Sequence, residues 1–493
     1  MANDTLKRIG ESVCSPDYLG FNPTSNATKP PHIANGLFRA CTGETCSTED
    51  VHEWIICEGK KDATSSEEII RKYSELLARQ NLEKASNIRD FRFLLYEIFD
   101  QDNTAYPNYD FSVTTIPSHW MIKKRVSSEA RIGDFIFEIL SKQINGDRSP
   151  AIKIINEALG NDNDDLTKLV KPIITFPSEK EKRNKAEVEY PDDSSIIWDS
   201  CKDTIRRGFD RLTVNLEFIE ESKNSLLTLR RLVNYAIFSS LLYMMHANAA
   251  RFDGERVPIV VDAGTGLDSI KKASEQSFTS GKKAVEDYFI NAIYCVIKNE
   301  IASDTDTDCR RWISEMALAT DDREAEVKKA VASYYSSFIT EGDKPIRALA
   351  KALQVAIYTF EYKNNSPSDF CRVLGVRAGL VGPKGNRAKI KRYLSNSFTL
   401  ETVTLSVLDK EDLKDGIELK NLGEKLIRDY CMVIGSDAET EYMLLEMANI
   451  AQSTPGDLRG DLSLNAQRLA NTYISLGLGK KYADGVTLIG WRL

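Results

Sequence analysis

The chain has 493 residues, too many for one hydrophobic core of ordinary size, so several structural units are expected. Apolar residues make up 42% and charged residues 28%, which excludes a disordered chain, and nine cysteines over this length argue against a disulfide scaffold. A formal net charge of −8 excludes a general nucleic-acid-coating protein but permits a local basic face, because charge acts over only about 8–10 Å in cells.

The opening segment, residues 1–64, is rich in Pro, Thr, Asn and Cys and shows little periodicity, so it reads as irregular. It carries no basic segment followed by an apolar core, and a cytoplasmic location is expected. From Ser65 the pattern turns helical, with Glu67 and Glu68 placed to complement the dipole of a first helix. Two further helices are expected over Arg131 to Gly146 and Ser149 to Gly160, each stopped by its glycine. Residues 65–160 thus form a helical unit, and the charged stretch 161–199 reads as a linker or surface excursion.

Long helices resume in a central helical unit, 200–370. They are expected over Ser200 to Leu212, Ser225 to Ala249, Gly281 to Ile301, Arg323 to Phe338 and Lys344 to Phe360. "LVNYAIFSSLLYMMHANAA" (Leu232 to Ala250) is the most apolar of these, yet it contains Asn234, two serines, His246 and Asn248. It reads as a buried core helix and not a membrane span. A basic loop, 371–398, follows, and 399–493 forms the last unit. There "FTLETVTLSVL" (Phe398 to Leu408) alternates like a strand. Helices are expected over Glu418 to Gly435, Glu439 to Ser453 and Ser463 to Leu478. Asp-Gly at Asp484–Gly485 then signals a closing hairpin. Three helices followed by a hairpin is the element order of a winged helix-turn-helix, so the fold class expected is mainly α, multi-domain, with a C-terminal winged-helix-like α/β module.

Four stretches carry candidate chemistry. "VPIVVDAGTGLDSIKKASEQS" (Val257 to Ser277) reads as a strand, a glycine turn and a helix. Asp262, Gly264 and Gly266 resemble the Asp-x-Gly-x-Gly turn of methyltransferases and the phosphate turn of actin-like kinases. The long helical flanks and the lack of a P-loop or second phosphate loop favour a structural turn. The enzyme alternative, binding a nucleotide or S-adenosylmethionine at Asp262–Gly266, stays open. Near the start, Cys41, Cys46, His52 and Cys57 could supply the four soft ligands of a structural zinc, although no Cys-x-x-Cys pair occurs.

The third stretch, Cys371 to Phe398, holds Arg372, Arg377, Lys384, Arg387, Lys389, Lys391 and Arg392 and not one acid, a pattern suited to phosphate-backbone contacts. In the fourth, a winged-helix reading places Gln467, Arg468, Asn471 and Thr472 on a recognition helix, with Lys480 and Lys481 starting the wing. No Gly-x-Ser-x-Gly or His-Glu-x-x-His motif occurs. Asp321, Glu326 and Lys328, the nearest approach to a nuclease triad, fall on a charged helix.

The function expected is therefore that of a non-catalytic accessory subunit of a cytoplasmic assembly acting on nucleic acid. The assembly expected is of the bacterial DNA-restriction or antiphage defence kind, with the basic loop and the C-terminal winged helix contacting DNA or a DNA-processing partner. Its partners would be other protein subunits, such as an ATPase or nuclease, and nucleic acid, with no membrane contact. A purely structural protein–protein adaptor is the further alternative.

Overall fold

The computed structural model describes residues 4–23, 28–43, 65–72, 74, 88–90, 92–93, 127–159, 188–219, 225–318, 321–363, 365–384, 390–394, 396–453, 456–483 and 485–492. It is mainly α-helical. No described helix is long and apolar enough to cross a membrane.

The N-terminal segment expected to be irregular contains two helices, α1 (Thr5–Val13) and α2 (Pro30–Thr42). Asp4 caps α1 by accepting from the amides of Leu6 and Lys7. Two prolines open α2, where their missing N–H groups cost nothing. Because α2 is buried almost all round, its sequence shows no polar stripe to reveal a helix. Helices α3 (Ser66–Lys72), α4 (Ile132–Ser141) and α5 (Pro150–Leu159) follow. Helix α4 crosses α2 at Gly133, where an added Cβ would stand 2.2 Å from the Leu37 amide nitrogen. A side chain there would force the helices apart.

The centre is built on α6 (Ser200–Ile219), α7 (Ser225–Arg251) and α8 (Asp268–Ile297). Helix α7 is the buried core helix its polar residues implied, with Leu232, Val233, Phe238 and Leu242 in the core beside Asn234, Ser239 and Ser240. Helix α8 begins 13 residues earlier than the expected Gly281. Its polar first half is helical because Ser274 and Ser277 are small and let strands lie against it. The Ser277 hydroxyl donates to the Pro258 carbonyl and accepts from the Val260 amide, and Ser274 accepts from the Tyr393 amide.

Strand β1 (Ile259–Val260) lies on this helix. Helices α9 (Asp306–Glu315), α10 (Asp321–Thr340) and α11 (Pro345–Ala356), with a π-turn at Ile357–Glu361, complete the middle. Lys328 pairs with Glu324 and donates to the Ser314 carbonyl, so it serves α10 and its neighbour as a helix-surface residue.

Helix α12 (Pro367–Ala378) leads into an antiparallel pair, β2 (Val381–Gly382) and β3 (Arg392–Tyr393). The next segment corrects an expectation. Phe398 to Leu408 is not a strand; Ser397–Val407 is helix α13. It is capped by Asn396, and its hydroxyls are satisfied internally, Thr404 by Tyr473 and Ser406 by Tyr430. Burial on nearly every side overrides the β-branched propensity.

Beyond it lie α14 (Lys410–Asp415), β4 (Ile417–Glu418), α15 (Leu419–Tyr430) and β5 (Met432–Val433). The helix expected to reach Gly435 ends early because Cys431 turns left-handed, with φ 53°. Strand β5 then pairs in parallel with β1, Ile259 opposite Met432. Last come α16 (Ala438–Met447), α17 (Leu458–Ser475), β6 (Gly479–Lys481) and β7 (Thr487–Ile489). Strands β6 and β7 form the expected hairpin, and β4 joins β7, giving the sheet order β4-β7-β6.

One hydrophobic cluster runs from Leu6 to Ile489. A smaller one gathers Val260, Ile270, Val433, Leu445 and Leu462 around the β1–β5 pair. A chain of buried hydroxyls, Tyr235 to Tyr430 to Ser406 at 2.8 Å each, ties α7, α15 and α13 together.

Candidate functional site

Helix α17 has two distinct faces. Leu458, Leu462, Leu469 and Tyr473 are buried, while Ser463, Leu464, Gln467, Arg468 and Asn471 are exposed. Its exposed face borders a cavity of about 300 Å³, closed by Glu418 and Lys420 at the start of α15 and by Lys481 and Thr487 of the hairpin. Three residues singled out from sequence, Gln467, Asn471 and Lys481, therefore line one concavity. Arg468 lies one residue along the same exposed face. Thr472 is half-buried and its hydroxyl turns back to the Arg468 carbonyl.

Lys480 is exposed, its ammonium 5.2 Å from the centre of the Tyr482 ring. Neither Arg468, Lys480 nor Lys481 forms an ion pair among the described residues. Lys420, by contrast, pairs with Asp437 at 3.0 Å, and that hydrogen bond raises its pKa. The Glu418 side chain does not cap α15, so the first amides of that helix are left without this partner beside the cavity.

The basic stretch behaves differently. Arg387 and Lys389 lie outside the described residues. Lys384 is exposed. Arg377 donates to the Thr28 carbonyl, and Arg372 pairs with Asp369 at 3.4 Å. Lys391 is buried and donates to the Pro383 carbonyl at 2.5 Å; burial, helped by the charge of Arg372, lowers its pKa. Arg392 donates through Nε to Asp262 at 2.7 Å. The base of the basic stretch is thus inward-facing structure.

That bond joins the basic stretch to the glycine turn. Asp262 is buried: Oδ1 accepts from the Gly264 amide at 2.8 Å, Oδ2 from Arg392, and its own amide donates to the Tyr393 carbonyl. Gly264 and Gly266 have φ of 76° and 85°, and a Cβ on either would meet nothing within 4 Å. Glycine is present for the left-handed backbone, not for close packing within this chain.

Sequence reasoning missed Asn465 altogether. It is buried on α17, accepts from the Ala263 amide at 2.9 Å, and donates to the carbonyls of Val261 and Ile434 at 2.9 and 3.0 Å. One amide side chain thereby fastens the ends of both parallel strands to α17. A polar residue on the apolar face of an amphipathic helix was its only signal.

Of the zinc candidates, Cys41 lies fully buried on α2, where burial pushes its thiol pKa up. Cys46, His52 and Cys57 lie outside the described residues. Among the described residues no three metal-ligating side chains converge. His246 is buried on α7 and bonds through Nε2 to the Val257 carbonyl at 2.9 Å. Burial, with the nearby charge of Arg256, lowers its pKa to about 4, which leaves the imidazole neutral. Comparison with known proteins finds no matching family model, no matching curated protein and no matching solved structure.

Proposed function

We propose that the chain is a non-catalytic accessory subunit that contacts nucleic acid through the exposed face of α17 and the β6–β7 hairpin, within a winged-helix-like C-terminal module. The observation that carries this reading is the convergence of Gln467, Asn471 and Lys481 on one concave face, with Arg468 and Lys480 exposed on the same helix and hairpin. These three cations form no ion pair among the described residues, while Lys420 on that face is paired with Asp437. Amide side chains suit base edges and free lysines suit phosphates. The module reading is supported by the order of α15, α16, α17, β6 and β7, the three helices and hairpin read from the sequence, and by β4, just before them, pairing with β7. Strand β5, placed between α15 and α16 and paired with β1 of the central unit, departs from the minimal pattern.

The test is fluorescence anisotropy with a labelled duplex over a range of salt. The unaltered protein should bind with a marked salt dependence. Lys480→Glu with Lys481→Glu should weaken binding across all sequences and reduce the logarithmic salt slope by about one for each phosphate left without its cation. Gln467→Ala with Asn471→Ala should lower sequence preference instead. No binding by the unaltered protein, or binding that ignores all four changes, overturns the reading.

A specific observation favours the adaptor alternative. Met443 and Met447 are exposed one turn apart on α16, Met447 at 79%. Exposed methionines on a helix suit a protein partner. A co-purifying partner released by Met447→Glu, with no duplex binding, would favour that alternative.

A further inference from the structure

A second cavity of about 300 Å³ lies away from the α17 face, between the start of α6, the end of α7 and the end of α15. His246, Cys201, Ser200, Arg256, Ala249 and Asp429 line it. Its volume is at the lower end of the range for small-molecule sites.

The polar groups around it have definite hydrogen-bonding roles. The Nε2 of His246 faces a carbonyl oxygen, which can only accept, so that nitrogen carries the proton. In a neutral imidazole the Nδ1 is then a lone-pair acceptor, and no hydrogen bond engages it among the described residues. Asp429 is already satisfied: it receives Arg428 at 2.9 and 3.0 Å and Arg211 at 2.7 Å. Arg256 donates to the carbonyls of Arg428 and Asp429, both at 2.8 Å, and so closes the end of α15. It has no carboxylate partner within ion-pair distance among the described residues, and its positive charge remains uncompensated beside the cavity. The Ser200 hydroxyl is exposed at the head of α6.

We propose that this cavity binds a small carboxylate that carries its own O–H or N–H donor, of the hydroxy- or amino-acid class. The carboxylate lies against Arg256 and Ser200, and the donor hydrogen points at Nδ1 of His246. A neutral buried acceptor beside an uncompensated guanidinium selects an anion with a donor over a plain anion, because an anion without one leaves the imidazole unpaired. The walls come from α6, the end of α7 with the segment that follows it, and α15, so an occupant would brace the central helices against α15.

Glycolate is the probe, with acetate as the anion lacking a donor and ethylene glycol as the donor lacking charge. The chain has only four histidines, so nitrogen-15 labelling of histidine gives a short spectrum in which His246→Gln identifies the relevant signal. Glycolate should shift the His246 Nδ1 resonance saturably. Acetate should need about tenfold more, the equivalent of about one hydrogen bond, and ethylene glycol should have no effect. Arg256→Gln should abolish the response. Ala249→Leu, which fills the cavity from a helix surface and leaves the Arg256 bonds intact, should abolish it too. A resonance unmoved by glycolate, equal responses to glycolate and acetate, or a full response in Ala249→Leu would overturn the assignment.

Discussion

Lys391 and Lys481 both flank or occupy short hairpin strands in basic neighbourhoods, yet they face opposite ways. Lys391 is buried with its ammonium on the Pro383 carbonyl, while Lys481 is exposed at the rim of a cavity. The same contrast separates Arg392, spent on the buried Asp262, from Arg468, which has no ion pair among the described residues. Charge density along the sequence marks the first region more strongly. Burial and partners make the second the better candidate for an outside ligand. A cation already committed inside the fold is costly to redirect, whereas a free one loses only hydration on binding.

The largest expected effect comes from breaking the inward region. Arg392→Met would leave the Asp262 carboxylate, 1% exposed, without its guanidinium, and should destabilise the protein by about 3–5 kcal/mol in urea unfolding. Adding Asp262→Asn should recover part of that loss. A cost below about 1 kcal/mol would mean the pair is not the joint between β3 and the glycine turn.

Next in size is a pH effect. His246 has a folded pKa of about 4 against an ordinary 6.5, so between those values the unfolded chain binds the extra proton. Stability should therefore fall as pH drops from about 6.5 to 4, by about 3 kcal/mol in all at 1.36 kcal/mol per unit, and this contribution should level off below 4. His246→Gln should flatten that slope. A variant that keeps the full slope would assign it to other groups.

A smaller effect is expected at the glycine turn. Gly264→Ala meets no steric contact, so its cost is the left-handed backbone alone, about 1–2 kcal/mol. A larger loss would show that the open space there is needed for something other than conformation.

The long helices were legible because their apolar spacing persists over many turns, and the hairpin because Asp-Gly is a strong turn signal. Helices α2 and α13 were not, since helices buried on nearly every side lose the amphipathic pattern on which sequence reading depends. Strand β5 is two residues long and exists because β1, more than 170 positions earlier, supplies its partner. The α17 face was readable as a set of polar positions at helical spacing. The inward turn of Lys391 and Arg392 was not, because it depends on Pro383 and Asp262, one close in sequence and the other 130 residues away.

The smallest stability effect is also the most discriminating. Lys480→Glu with Lys481→Glu alters exposed side chains that form no ion pair among the described residues, so unfolding should move by no more than about 0.5 kcal/mol per site. The same pair of changes made at Lys391 and Arg392 should unfold the chain or nearly so, because one ammonium is buried and the other cation neutralises a buried carboxylate. Loss of duplex binding in the second variant would therefore say nothing about direct binding, whereas loss in the first, with the melting curve unchanged, can come only from the outward face. If instead the Lys480 and Lys481 variant loses stability by several kcal/mol, those lysines belong with the inward group. The contrast between the two basic regions, and the binding face built on it, would then fall together.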